Sequence, residues 1–163
     1  MRQLRLRPGE EFRTELEVEL PVFAFGGQSY VPVPEKLPAE LAITGATTGT
    51  VFLLALRARL YGPCYRCLGD AVLDLPIRAR EYQASSPDTE ELTTPYLVDG
   101  RLEVSDWARD AIALALPEQI LCRPDCAGLC PECGKNLNVE PHGHPQEESD
   151  PRWAALEALR EQD

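Results

Sequence analysis

The side chains with the most reactive chemistry lie in three short stretches. Cys64 and Cys67 flank Tyr65-Arg66, and the other four cysteines of the six are Cys122, Cys126, Cys130 and Cys133. The only two histidines, His142 and His144, stand just downstream. Thiolate and imidazole are the usual zinc donors, and four of them close one tetrahedral structural site. The eight residues therefore suffice for two Zn2+ ions with no donor left over. The most specific pair is Cys130-Pro131-Glu132-Cys133-Gly134. Two thiolates at that spacing chelate one ion, Pro131 fixes the turn, and Gly134 permits a positive φ. Cys64–Cys67 reads as a second such turn at a hairpin tip, with Gly69 in the permissive role.

Other readings of these residues stand beside this one. A buried cysteine is often an inert apolar side chain. His142-Gly143-His144 reads equally as an exposed loop. A redox Cys-x-x-Cys usually opens a helix in a βαβ unit, whereas Cys64 follows one strand and precedes another. Joining Cys130 and Cys133 to the histidines closes a loop of about ten residues rather than more than about sixty for the Cys64 pair, and the logarithmic closure term favours the short loop by only ~1.5 kcal/mol. The preferred sets are Cys64/Cys67/Cys122/Cys126 and Cys130/Cys133/His142/His144. A four-cysteine ribbon made of the two Cys-x-x-Cys turns, holding one ion, stays open.

The elements that position these groups follow from hydrophobic period. Glu15–Leu20 alternates, with Leu16, Val18 and Leu20 on one face. Pro21–Pro38, interrupted by Gly26-Gly27, reads as loop with short strands. Leu41–Thr44, Val51–Tyr61 and Ala71–Tyr82 read as strands. The last two form a hairpin, with Leu56, Ala58 and Leu60 facing Leu73, Leu75 and Ile77. The Ser/Thr/Pro-rich acidic stretch 85–95 reads as a loop, and a short hairpin turns at Asp99-Gly100. A helix starts with Ser105 as N-cap and buries Trp107, Ala111 and Leu114, widened by Ile112 and Leu116, before Pro117. A second helix begins at Asp150-Pro151 and lines up Trp153, Leu156 and Leu159. The expected fold is α+β: an antiparallel β-rich domain over residues 1–119, barrel-like or an open sheet, then a zinc-binding segment over 120–163 with its C-terminal helix.

Charge narrows the partners. A net charge of -11 argues against generic nucleic-acid binding, which rests on Lys and Arg neutralising phosphate. The N-terminal residues lack a signal-peptide run, and Val51–Leu56 is too short to span a bilayer. The expectation is a cytoplasmic protein with reduced thiols. Strand alternation places Arg57 and Arg59, and Arg78 and Arg80, on outer faces, with Arg66 at the hairpin tip. They could form a basic stripe for RNA or a partner, or simply a solvated strand face broken by Asp74. Tyr61 and Tyr65 could stack on bases or pack within the hairpin. No Ser/His/Asp set, glycine-rich phosphate loop or open three-ligand zinc site is evident, which argues against an enzyme.

The run CYRCL, the stretch VDGRLEVSDWARDAIALALPEQILCRPDC, then AGLCPECGKNLN and DPRWAALEAL, together resemble the YceD family of large ribosomal RNA subunit accumulation proteins. The likeness covers residues 51–160. It implies a bacterial cytosolic, non-enzymatic factor for accumulation or maturation of large-subunit (23S) rRNA. It also implies that the six cysteines occupy the family's cysteine positions. Many relatives carry a further cysteine pair where this chain has His142 and His144, and imidazole is an acceptable replacement ligand. The implied partner is large-subunit rRNA or its precursor, reached directly or through a ribosomal protein, with no membrane and no small-molecule substrate. A different class of function is a zinc-stabilised interaction module that docks a basic ribosomal protein, with the acidic loop Ser85–Glu91 as its contact.

Overall fold

The computed structural model describes residues 6–86 and 92–145. The chain divides into two compact units, one ending at Cys126 and the other beginning at Ala127. The expected second helix, with Trp153, Leu156 and Leu159, lies outside the described residues, as do residues 87–91 of the acidic loop.

The first unit is an open antiparallel sheet with one helix. Its strands are β1 (Glu11–Glu19), β2 (Phe23–Phe25), β3 (Gln28–Pro32), β4 (Lys36–Gly45), β5 (Gly49–Pro63) and β6 (Asp70–Ala84). A small hairpin of β7 (Leu97–Val98) and β8 (Arg101–Leu102) leads into α1 (Val104–Ala115). β5 organises the sheet. Along one side it pairs with β6 over its whole length, and along the other with β4 and then β3. β1 lies outside β4, and β2 outside β3. Leu56, Ala58 and Leu60 stand directly opposite Ile77, Leu75 and Leu73, as the alternation expects. β4 starts at Lys36, earlier than the alternation suggests, and carries Pro38. Residues 36–38 lie beyond the reach of the β5 ladder, so no strand on that side needs the N–H that proline lacks.

The inner face buries Val18, Leu20, Phe23, Tyr30, Leu37, Leu41, Leu54, Leu56 and Leu60. The buried Tyr30 hydroxyl donates to the Pro63 carbonyl at 2.9 Å, which removes the cost of an unpaired polar group. α1 packs against β6 and β1, the two ends of the run β6–β5–β4–β1, and adds Trp107, Ala108 and Ile112 to the core.

Two expectations about α1 are corrected. Ser105 is not its N-cap. That position is Glu103, and the Ser105 hydroxyl instead accepts the Glu19 N–H at 3.3 Å, tying the helix to β1. Leu114 is not a core residue and is 89% exposed. The buried arc runs through Trp107, Ala108 and Ile112, so Leu114 falls on its rim, near the helix end. The β7–β8 turn matches its sequence signal. Asp99 and Gly100 both take positive φ, 51° and 74°, as a two-residue hairpin of this hand requires. No helix of the described residues is long and apolar enough to cross a membrane.

Candidate metal centres

The first cysteine group belongs wholly to the first unit. The β5–β6 connection folds into a tight turn in which the Cys64 N–H donates to the Gly69 carbonyl at 2.6 Å and the Leu68 N–H to the Cys64 carbonyl at 3.0 Å. The segment after α1 is drawn to this tip. Ile120 is buried, and its carbonyl accepts the Tyr65 N–H at 2.8 Å. Arg66 donates to the Cys126 carbonyl at 3.1 Å, so its guanidinium holds the segment that carries Cys126. Cys64, Cys67 and Cys126 are thereby buried, and Cys122 closes the group from the outside.

The sulfur spacing suits one ion. Cys64 and Cys126 Sγ lie 3.8 Å apart, and Cys67 and Cys122 Sγ 3.7 Å. A tetrahedron with zinc–sulfur bonds of about 2.3 Å has edges of about 3.8 Å. All six cysteines are free thiols. Burial raises the Cys64 thiol, but the N–H groups of Cys67, Cys122 and Arg66 outweigh it and bring Cys64 down to about 6. Cys122 is pushed up to about 12, by burial first and then by its neighbours Cys126, Cys67 and Cys64. The turn thus readily yields one thiolate, while crowding raises the cost of ionising the next. A divalent cation is what lets four such sulfurs ionise together.

The second group lies in the second unit. Here the Cys130 N–H donates to the Lys135 carbonyl and the Gly134 N–H to the Cys130 carbonyl, both at 2.8 Å. This repeats the backbone pattern at Cys64 residue for residue. In both turns the residue after the second cysteine takes the left-handed conformation: Gly134 at φ 71° and Leu68 at φ 59°. The permissive role expected of Gly69 therefore falls to Leu68, because the repeated hydrogen-bond pattern fixes the position whatever residue occupies it. A bridge between Leu129 and Asn136 closes the small hairpin, and the Asn136 side chain accepts the Asn138 N–H at 2.9 Å. Cys130 is lowered to about 6, chiefly by the Cys133 N–H against the opposing effect of burial.

The imidazoles are oriented as metal ligands are. His142 Nδ1 lies 2.7 Å from the Glu140 carbonyl, which fixes the proton on Nδ1 and turns a bare Nε2 toward Cys133 Sγ, 3.1 Å away. His144 Nδ1 faces the Glu132 carboxylate at 3.3 Å. Its Nε2 is buried and has no hydrogen-bond partner among the described residues. An unsatisfied buried imidazole nitrogen is costly unless it binds something. Each ligand set fits within 4.8 Å, and each could hold a metal ion. Neither Glu132 nor the Glu140 carbonyl is singled out by sequence. A glutamate between two cysteines carries no spacing signal of its own.

The remaining candidates lie on the sheet. Arg57, Arg59, Arg78 and Arg80 are all exposed on the face opposite the core. Arg59 reaches Asp74 at 3.6 Å, and Arg66 stands apart at the cysteine turn.

The family model for the large ribosomal RNA subunit accumulation protein YceD matches residues 53–160. The chain belongs to this family. An uncharacterized protein of Mycobacterium tuberculosis is 34% identical over 167 residues, covering 94% of this chain and 76% of the relative. YlbN of Bacillus subtilis, also uncharacterized, is 30% identical over 104 residues, 62% of this chain and 60% of the relative. A chloroplastic protein of Zea mays, named large ribosomal RNA subunit accumulation protein YCED homolog 1, is 42% identical over 41 residues, 25% of this chain and 14% of its own length. No solved structure matches the chain.

Proposed function

We propose that the chain is a cytoplasmic, non-enzymatic accessory factor for accumulation or maturation of large-subunit rRNA, held in shape by two structural Zn2+ ions. The observation that carries the zinc reading is donor geometry in a YceD-family chain. Four sulfurs lie within 4.8 Å of one another, two of their pairs at the edge length of a zinc tetrahedron, and a second set ends in a buried imidazole nitrogen with no hydrogen-bond partner among the described residues. Thiolate and imidazole select zinc over the oxygen-preferring calcium and magnesium. Four protein donors in each set leave no open coordination position, which separates a structural site from a catalytic one. One ion would fasten the β5–β6 tip to residues 120–126, and the other would hold the second unit on its own short hairpin. Membership in the family of large ribosomal RNA subunit accumulation proteins supports the rRNA role.

The acidic outer strand supports a second reading. Glu11, Glu15, Glu17 and Glu19 are exposed along β1 and suit a basic protein. One experiment separates the two. A tagged chain is recovered from cells at native salt, with and without nuclease, while large-subunit rRNA is measured in depleted cells. The rRNA reading expects loss of the large-subunit species on depletion and nuclease-sensitive recovery of rRNA. Unchanged rRNA in depleted cells would remove that reading, and nuclease-resistant recovery of one basic protein would favour the second.

A further inference from the structure

The outer face of the sheet is divided by charge. On the β1–β4 side, Glu15 stands opposite Glu40, with Glu17 beside them. Arg13 on that side is neutralised by Glu11 and Glu40. The β5–β6 side carries four arginines against Asp74 and, at the cysteine-turn end, Asp70. On a chain of net charge -11, this concentration of positive charge on one hairpin is a local exception.

The register gives that half a linear order. From the far end toward the cysteine turn, the outward rows are Leu53 with Arg80, Ala55 with Arg78, Arg57 with Pro76, Arg59 with Asp74, and Tyr61 with Val72. Arg59 is spent on Asp74, whereas Arg57, Arg78 and Arg80 form no ion pair with another described residue. They border a track floored by the small side chains of Ala55 and Pro76. From Arg80 to Val72 the track is roughly 27 Å long, at about 3.4 Å per residue.

At its end the track turns aromatic. Tyr61 is 42% exposed, and Tyr65 at the turn is 49% exposed. The neighbouring Asp70 carboxylate raises the Tyr61 phenol above its usual range. Tyr65 lies close against the glycine turn at Gly26. Beside it, Leu68 takes a left-handed backbone that glycine would adopt with less strain, yet its side chain is 56% exposed. That side chain gains little from burial within this fold, which points to an external contact.

We propose that this face binds an unpaired segment of RNA, with Arg57, Arg78 and Arg80 on phosphates and Tyr61 and Tyr65 stacked on bases. The inference rests on the rRNA reading above and names its ligand. Exposed aromatic rings fit unpaired nucleotides, because the bases of a duplex are stacked on one another and offer no free face. A cationic track that leads to such rings is the usual design of a single-strand site. The acidic β1–β4 half repels phosphate and so confines the strand to the hairpin. The cysteine turn fixes the tip from which Tyr65 projects.

The test uses the full zinc-loaded chain and a fluorescent oligouridine of about twelve nucleotides, compared with an RNA duplex of the same length. The single strand binds more tightly than the duplex. Arg57, Arg78 and Arg80 changed together to Gln weaken binding at least about tenfold, and the slope of log affinity against log salt falls by about two, at ~0.7 per phosphate contact. Tyr61→Ala with Tyr65→Ala weakens binding by about fivefold or more with the slope unchanged, and the double Tyr→Phe variant binds like the parent. Zinc content and thermal midpoint identify any variant that fails to fold, and the arginine and phenylalanine variants keep the test decisive if the alanine pair does so. Equal binding of strand and duplex, or parental binding by both the arginine and alanine variants, overturns the proposal. So does recovery of only a ribosomal protein on this face after nuclease treatment. In depleted cells, full rescue of large-subunit rRNA by the arginine variant rejects this face and leaves the rRNA role standing. Absence of any rRNA defect on depletion rejects the role itself.

Discussion

Leu68 and Gly134 hold the same place in two turns of the same design, and only one of them is suited to it by residue type. The left-handed conformation costs an L-residue about 1–2 kcal/mol, and glycine returns about 0.5–1 kcal/mol of that through its freer unfolded chain. Leu68→Gly should therefore stabilise the first unit by about 0.5–1 kcal/mol, an unusual sign for removing a leucine. Chemical denaturation of the zinc-loaded chain measures it, and a loss of more than about 1 kcal/mol would mean that the Leu68 side chain is packed after all. At this scale the two groups of candidate donors were legible in the sequence, because thiols and imidazoles at these spacings have few other uses. The groups that orient them were not. Glu132 on His144 and Arg66 on the Cys126 carbonyl are contacts made by folding, and neither residue type announces them. Leu68 was missed for a related reason. Its φ is imposed by the paired N–H and C=O groups of Cys64 and overrides a preference that would have favoured Gly69.

The β5–β6 hairpin was the most legible element, since alternation over a long run fixes both face and register. Each apolar partner expected across it is found opposite its mate. The helix was read less well because its limits are set by tertiary partners. Ser105 has the chemistry of a cap, but its hydroxyl is engaged by the Glu19 N–H of β1. Trp107 and Leu114 sit at helical spacing, yet only Trp107 meets the sheet, where it also stacks on Tyr96 with ring centroids 6.1 Å apart. The two residues should respond differently to truncation. Trp107→Ala should cost about 3–5 kcal/mol, as for a large buried side chain, and Leu114→Ala less than about 0.5 kcal/mol. Thermal unfolding of both variants checks the orientation of α1, and similar losses at the two sites would show that the helix is rotated from its place here.

At the scale of the whole chain, the two donor sets should do different work because they sit in units with different cores. The pairing of ligands was not decided by loop entropy, whose preference is only ~1.5 kcal/mol. It is decided in the first unit by the contact of Tyr65 with Ile120, which brings Cys122 and Cys126 to the hairpin tip. That unit also buries Leu54, Leu60, Trp107 and Ile112, so its sheet has apolar support independent of metal. Among the described residues, the second unit has far less. Cys130 is buried, but Leu129 and Leu137 are only half-buried and Val139 is exposed. Few apolar contacts leave metal binding as the main source of order there. We therefore expect two equivalents of zinc in protein purified without chelator, lost separately. Cys130→Ser should remove one equivalent, leave the melting of the sheet in place, and raise hydrogen exchange across residues 127–145 alone. Cys64→Ser should remove the other equivalent and lower the melting temperature of the sheet, because it frees residues 120–126 from the tip. Metal analysis with calorimetry and hydrogen exchange on the two variants tests this division. Loss of both equivalents from Cys130→Ser, or uniform loss of protection in both units, would mean that the sites depend on each other and form one metal-bound body.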